Sequence, residues 1–119
     1  MVYLSKEESL IRRDENGQAL PVEVALELVP NKPLVKVRPL VKGEIQRIIA
    51  SPNSQEVEDE LIRTHCVEPA YTEEDWKFML PEIFAALKIA VLSVSVGRKQ
   101  EEIYGSVPQI VSELEKKKI

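Results

Sequence analysis

The sequence predicts an α+β fold, with a small antiparallel β-sheet or hairpin near the N-terminus followed by a mainly α-helical body. Three observations carry this. Between Val22 and Val37 apolar residues alternate with polar ones, the period of a half-buried strand. From Gly43 onward the apolar period lengthens to that of a helix. Turn-forming clusters, Pro30-Asn31-Lys32-Pro33 and Ser51-Pro52-Asn53-Ser54, fall between the periodic segments. At 119 residues the chain suits one domain with a single core. Residues 1–97 are expected to form that domain, with 1–20 either a weak hairpin or a flexible arm. Residues 98–119 are read as a C-terminal tail, helical or disordered.

In the N-terminal segment, Asn16-Gly17 favours a hairpin turn because both residues tolerate positive φ, but Leu10-Ile11 is too short to define a strand. Val22, Val24, Leu26 and Leu28 then mark one buried face of a first strand. Val35 and Val37, alternating with Lys36 and Arg38, mark a second, which Pro39 closes because it has no N–H to give a ladder. Ile45, Ile48 and Ile49 share a helical face. Ser54 is placed to cap the next helix, in which Val57, Leu61 and Ile62 face inward while Glu56, Glu58, Asp59 and Glu60 mostly face water. Pro69 ends it, since the residue before a proline is biased away from helical geometry. Thr72-Glu73-Glu74-Asp75 opens another helix, with a threonine cap and three carboxylates in the positive first turn. Pro81 implies a kink or the meeting of two helices, and Gly97 a C-terminal stop. Val107, Ile110, Val111 and Leu114 are spaced to line a short helix in the tail, with Lys116-Lys117-Lys118 favourably at its C-terminal end.

Composition narrows the function. Sixteen Lys and Arg against 20 Asp and Glu give a net charge of −4, the wrong sign for a general nucleic-acid binder. One cysteine and one histidine exclude a disulfide framework and leave little for a zinc site. The start lacks a basic flank followed by an apolar run, so no secretory signal is expected. The longest apolar stretch, from Ile83 to Val96, falls short of the roughly 20 residues of a membrane span. His65-Cys66 is the one pair resembling a base and a nucleophile, but adjacent helical residues point about 100° apart. A helix-end histidine beside a small buried hydrophobe is the better reading. The acidic runs at Glu56–Glu60 and Glu73–Asp75 lack the alternating ligands and glycine of a calcium loop. Lys36, Arg38, Lys42 and Arg47 form a local basic cluster able to touch a phosphate or an acidic partner, but no glycine-rich loop supports nucleotide binding. No catalytic, cofactor or metal residues are assigned, and the chain is expected not to be an enzyme.

The stretch from Ile83 to Val96 is apolar nearly all round. Ile83, Phe84, Leu87, Val91 and Val94 occupy one face and are expected in the core, with Trp76 a partly buried anchor. Ile89, Leu92 and Val96 lie on the other side. A helix of this kind must be covered nearly all round. It is therefore either the centre of the core or, in part, an interface with another subunit or a partner. Ile89, Leu92 and Val96, with Ile110 and Leu114 of the tail, are the candidate interface residues.

The order of features also resembles the tail assembly chaperones of long-tailed bacteriophages. The residues concerned are Val35-Lys36-Val37-Arg38-Pro39-Leu40 after a strand pair, Gly43-Glu44 opening a helical region, and the junction Cys66-Val67-Glu68-Pro69-Ala70-Tyr71-Thr72-Glu73-Glu74-Asp75. A helical run follows to Ser93-Val94-Ser95-Val96-Gly97. The resemblance covers roughly residues 34 to 97; the N-terminal arm and the tail match no part of the pattern. It implies a non-catalytic protein of the infected host's cytoplasm, absent from the mature virion and without cofactor. Such a protein binds the tape measure protein, helps tail tube protein assemble around it, and self-associates. It also implies a longer form made by ribosomal frameshifting, with which the terminal lysines are compatible. Two other classes stay open: a structural tail or connector component such as a tail terminator, and a small host adaptor protein.

Overall fold

The computed structural model describes residues 3–103 and 107–116. A three-stranded antiparallel sheet, β1 (Val22–Ala25), β2 (Leu34–Val37) and β3 (Cys66–Glu68), runs in the order β1-β2-β3. The helices are α1 (Lys42–Ala50), α2 (Ser54–His65), α3 (Glu73–Phe78), α4 (Pro81–Val96) and α5 (Val107–Lys116), with short 3-10 turns at Glu7–Ser9 and Gln100–Glu102. The expected α+β architecture is present.

The first strand is shorter than its alternation suggests. Val22 pairs with Val37 and Ala25 with Leu34, and the chain then leaves the sheet at Leu26. Only Val24 and Leu26 of the expected buried face turn inward, while Val22 and Leu28 are exposed. The cause is the turn: Asn31 and Lys32 both take positive φ, and Val29 and Lys32 donate N–H bonds to the carbonyls of Leu26 and Val29, winding 26–32 into turns. β3 is absent from the sequence reading because three residues carry no period. It pairs with Lys36 and Val37, and Arg38 N–H extends the contact to the His65 carbonyl at 2.7 Å.

The N-terminal segment forms a small hairpin around Gly17, whose φ is +78°. Asp14 Oδ1 accepts the N–H groups of Asn16 and Gln18. Arg38 fastens this hairpin to the sheet, donating from Nε to the Ala19 carbonyl (3.0 Å) and from Nη2 to Asp14 Oδ2 (3.4 Å). Partial burial pushes the Asp14 carboxyl up, but the two N–H groups and the Arg38 guanidinium outweigh it and hold the group below its usual range.

The helix signals act as read, with small shifts. Asn53, not Ser54, stands before α2, and makes no side-chain cap. Thr72 Oγ1 accepts Asp75 N–H while Asp75 returns the bond to Thr72 N–H, a reciprocal cap. At Pro81 two helices meet: α3 ends at Phe78, and the proline begins α4, where its missing N–H costs nothing. Gly97 closes α4 in the left-handed region.

The core gathers Val37, Ile48, Ile62, Ala90 and Val91, all fully buried, around Leu87 and Leu92. Ile103, Val107 and Ile110 belong to the same cluster, so no structural boundary falls at residue 97. The described part of the C-terminal segment docks on the body. Two polar side chains tie it in. Gln100, buried, donates its amide to the Ala25 carbonyl (2.6 Å) and accepts Glu27 N–H (3.2 Å) on the outer edge of β1. Glu58, expected to face water, is also fully buried. Its Oε1 accepts the Val107 N–H at 2.7 Å, at the positive N-terminus of α5. Its Oε2 faces the Lys88 ammonium at 2.9 Å, a charge contact lying off the hydrogen-bonding direction.

Candidate functional site

Two exposed apolar concavities are the clearest features of the surface. The first runs beside α1. Ile48 points into the core, so on a helix its neighbours Ile45 and Ile49 diverge from it: Ile45 is half-buried and Ile49 is 44% exposed. With Leu40, Ala50 and Ser95 they line a groove of about 730 Å³, rimmed by Lys42 and Gln46. Ser95 sets its width, because its hydroxyl donates to the Val91 carbonyl (2.6 Å) and accepts Leu40 N–H (2.7 Å). This bond pins the end of the β2 segment to α4.

The second lies where α3 meets α4. Phe78 is 80% exposed and Leu80 also stands out to solvent, beside a hollow of about 520 Å³ lined by Tyr71, Met79 and Ile83. Trp76 anchors the corner as expected, half-buried, with its ring 4.8 Å from Tyr71 and 6.0 Å from Phe84 in an edge-on arrangement. Burial, with the nearby Cys66 and Asp75, pushes the Tyr71 hydroxyl up.

The candidate interface residues are dispersed. Leu92 is 1% and Ile110 3% exposed, and both pack inside the chain, so they are not presented to a partner in this fold. Ile89 and Val96 are half-buried against the same cluster, and the Leu114 side chain lies outside the described residues. The reason is that other elements take both helices up: α2, β1 and the turn at Gln100–Glu102 flank α4, and α5 packs on α1. The expected core residues Leu87 and Val91 are buried, while Ile83, Phe84 and Val94 lie partly buried at its margin. Sequence reasoning missed Ile49 as a surface residue; the i, i+3, i+4 spacing fits one stripe, but the fold covers α1 on the Ile48 side and leaves the Ile49 flank open.

The other marked residues also find partners. His65 is buried, with Nδ1 2.7 Å from the Leu61 carbonyl and Nε2 2.9 Å from Glu44 Oε2. Both ring nitrogens are therefore engaged away from any thiol chemistry. Burial pushes the Cys66 thiol up to about 11 from an ordinary 9.0. At pH 8 native Cys66 is expected to react with a disulfide reagent about a hundredfold more slowly than the unfolded chain, because less of it is thiolate. The same shift stabilises the fold below pH 9, a contribution lost as pH rises towards 11. Timed thiol labelling with and without urea checks the first expectation. The basic cluster splits up: Lys36 meets Glu68 at 3.5 Å on the surface, Arg38 holds the hairpin, and Lys42 and Arg47 project from α1. Among the described residues no group of three or more His, Cys, Asp or Glu side chains is placed to hold a metal ion. No described helix is long and apolar enough to cross a membrane.

Comparisons with protein-family models, curated proteins and solved structures give no significant match.

Proposed function

We propose that this protein is a non-catalytic assembly chaperone that receives an amphipathic helical segment of its client in the groove beside α1. The sequence resemblance makes that client the tape measure protein of a long-tailed phage, around which tail tube protein assembles in the host cytoplasm. On this reading the chaperone self-associates and is absent from the finished particle. The observation that supports it is the groove. Leu40, Ile45, Ile49 and Ala50 offer a continuous apolar lining with basic and amide side chains at the rim. A helix in a groove is a standard way to shield apolar side chains spaced at i, i+3 and i+4. The net negative charge of the chain would keep such a complex soluble.

The test is co-expression with the tape measure protein encoded in the same genome, scoring solubility and stoichiometric co-purification. The wild-type chain is expected to render the client soluble, and Ile49→Asp to reduce the recovered client at least tenfold. Ile49 is exposed, so the variant should keep the wild-type circular dichroism spectrum. A folded Ile49→Asp that still recovers the client would remove the groove from the proposal. Finding the protein in purified virions by mass spectrometry would favour a structural tail component instead.

A further inference from the structure

A different face of the molecule carries a second site, independent of the groove. We propose that the cleft between the N-terminal hairpin and helices α1 and α2 binds a small organic oxyanion, carrying a carboxylate or a phosphate group. The cleft measures about 540 Å³, within the usual range for a small-molecule site. It exists because Arg38 holds the hairpin against the sheet through Ala19 and Asp14. Arg13 of the hairpin and Arg47 of α1, remote in sequence, are thereby brought to line one concavity with Arg38.

What separates this cleft from an ordinary solvated surface is its charge accounting. The carboxylate that lines it is already engaged: Glu44 Oε1 accepts Val41 N–H at 3.0 Å, and Oε2 faces His65 Nε2 at 2.9 Å. Arg38 is engaged with the neighbouring Asp14 at 3.4 Å. Arg13 and Arg47, in contrast, have no side-chain hydrogen bond or ion pair among the described residues. Two arginines without a side-chain partner therefore line one concavity in a chain whose net charge is −4. Guanidinium is the side-chain group best matched to carboxylate and phosphate oxygens, which it can meet with two parallel N–H bonds. The Thr64 hydroxyl on the lining already donates to the Leu61 carbonyl at 3.0 Å, which leaves the arginines as the donors, and Ile11 and Leu61 give the cleft an apolar wall for the carbon skeleton of such a ligand.

The experiment is an amide NMR titration of the full chain with sodium phosphate and, separately, with tricarballylate, each against sodium chloride at matched ionic strength. Saturable shifts are expected at the hairpin, at the Glu44–Arg47 stretch of α1 and at Thr64–His65. Arg13→Ala with Arg47→Ala should weaken the apparent affinity at least tenfold while leaving the rest of the spectrum in place. Should Arg13→Ala disturb the hairpin, Arg47→Ala alone serves the same purpose. Saturation by phosphate alone would assign a phosphorylated ligand, and saturation by tricarballylate alone a polycarboxylate. Shifts no different from those in chloride, or unchanged in the arginine variants, would overturn the proposal.

Discussion

Lys88→Met is expected to lower the free energy of unfolding by about 3–5 kcal/mol, as removal of one partner from a buried ion pair generally does. Glu58 is fully buried, and the Lys88 ammonium 2.9 Å away is the nearest compensating charge; Asp59, at 3.9 Å, competes weakly for the same ammonium. Without the lysine, the carboxylate keeps only the Val107 N–H and the α5 dipole. Glu58→Gln on the Lys88→Met background should recover most of the loss, because a neutral amide retains an oxygen for Val107 while shedding the unpaired charge. Urea denaturation of the wild type, the two single variants Lys88→Met and Glu58→Gln, and the double variant measures the coupling as a double-mutant cycle. A Lys88→Met protein as stable as the wild type would mean that Glu58 is not an ionised buried group.

Leu87→Asp should abolish the folded state. Leu87 is 2% exposed at the middle of α4, where truncation to alanine alone costs about 2–5 kcal/mol. An unpaired carboxylate there adds several kcal/mol more, a total comparable with the roughly 5–15 kcal/mol by which small domains are stable. The expected result is loss of a cooperative thermal transition in circular dichroism. A folded variant that had only lost self-association would instead place this face of α4 between subunits.

Much of the fold is legible in the sequence because local physics and tertiary need agree. The Thr72 cap, the Pro81 helix start and the Gly97 stop each satisfy or avoid a backbone group within a few residues. Those signals survive without knowledge of the partners. What was illegible depends on contacts distant in sequence. Glu58 sits in an acidic run and resembles every other exposed helical glutamate. Only the arrival of Lys88 from α4 and Val107 from α5 makes burial affordable. β3 is three residues whose strand character comes entirely from β2. The surface site fared worse than the core. Helical periodicity identifies apolar faces but not what other chain covers them, so Leu92 and Ile110 stand as interface candidates in the sequence although the fold buries them, while nothing sets Ile49 apart from Ile48.

The amide of Gln100 has a consequence for how the edge of the sheet is kept from other chains. β1, β2 and β3 all precede this residue in the chain, so the outer margin of the sheet stays open until the C-terminal segment docks. An unpaired margin is a template for any other extended segment nearby, including that of a neighbouring chain. Gln100 takes the Ala25 carbonyl and the Glu27 N–H, with a side chain that imitates the next strand without being one. A chain ending at Gly97 would lack that guard along with the Ile103, Val107 and Ile110 side chains of the core, and pairing between copies along the open margin is the outcome its geometry favours.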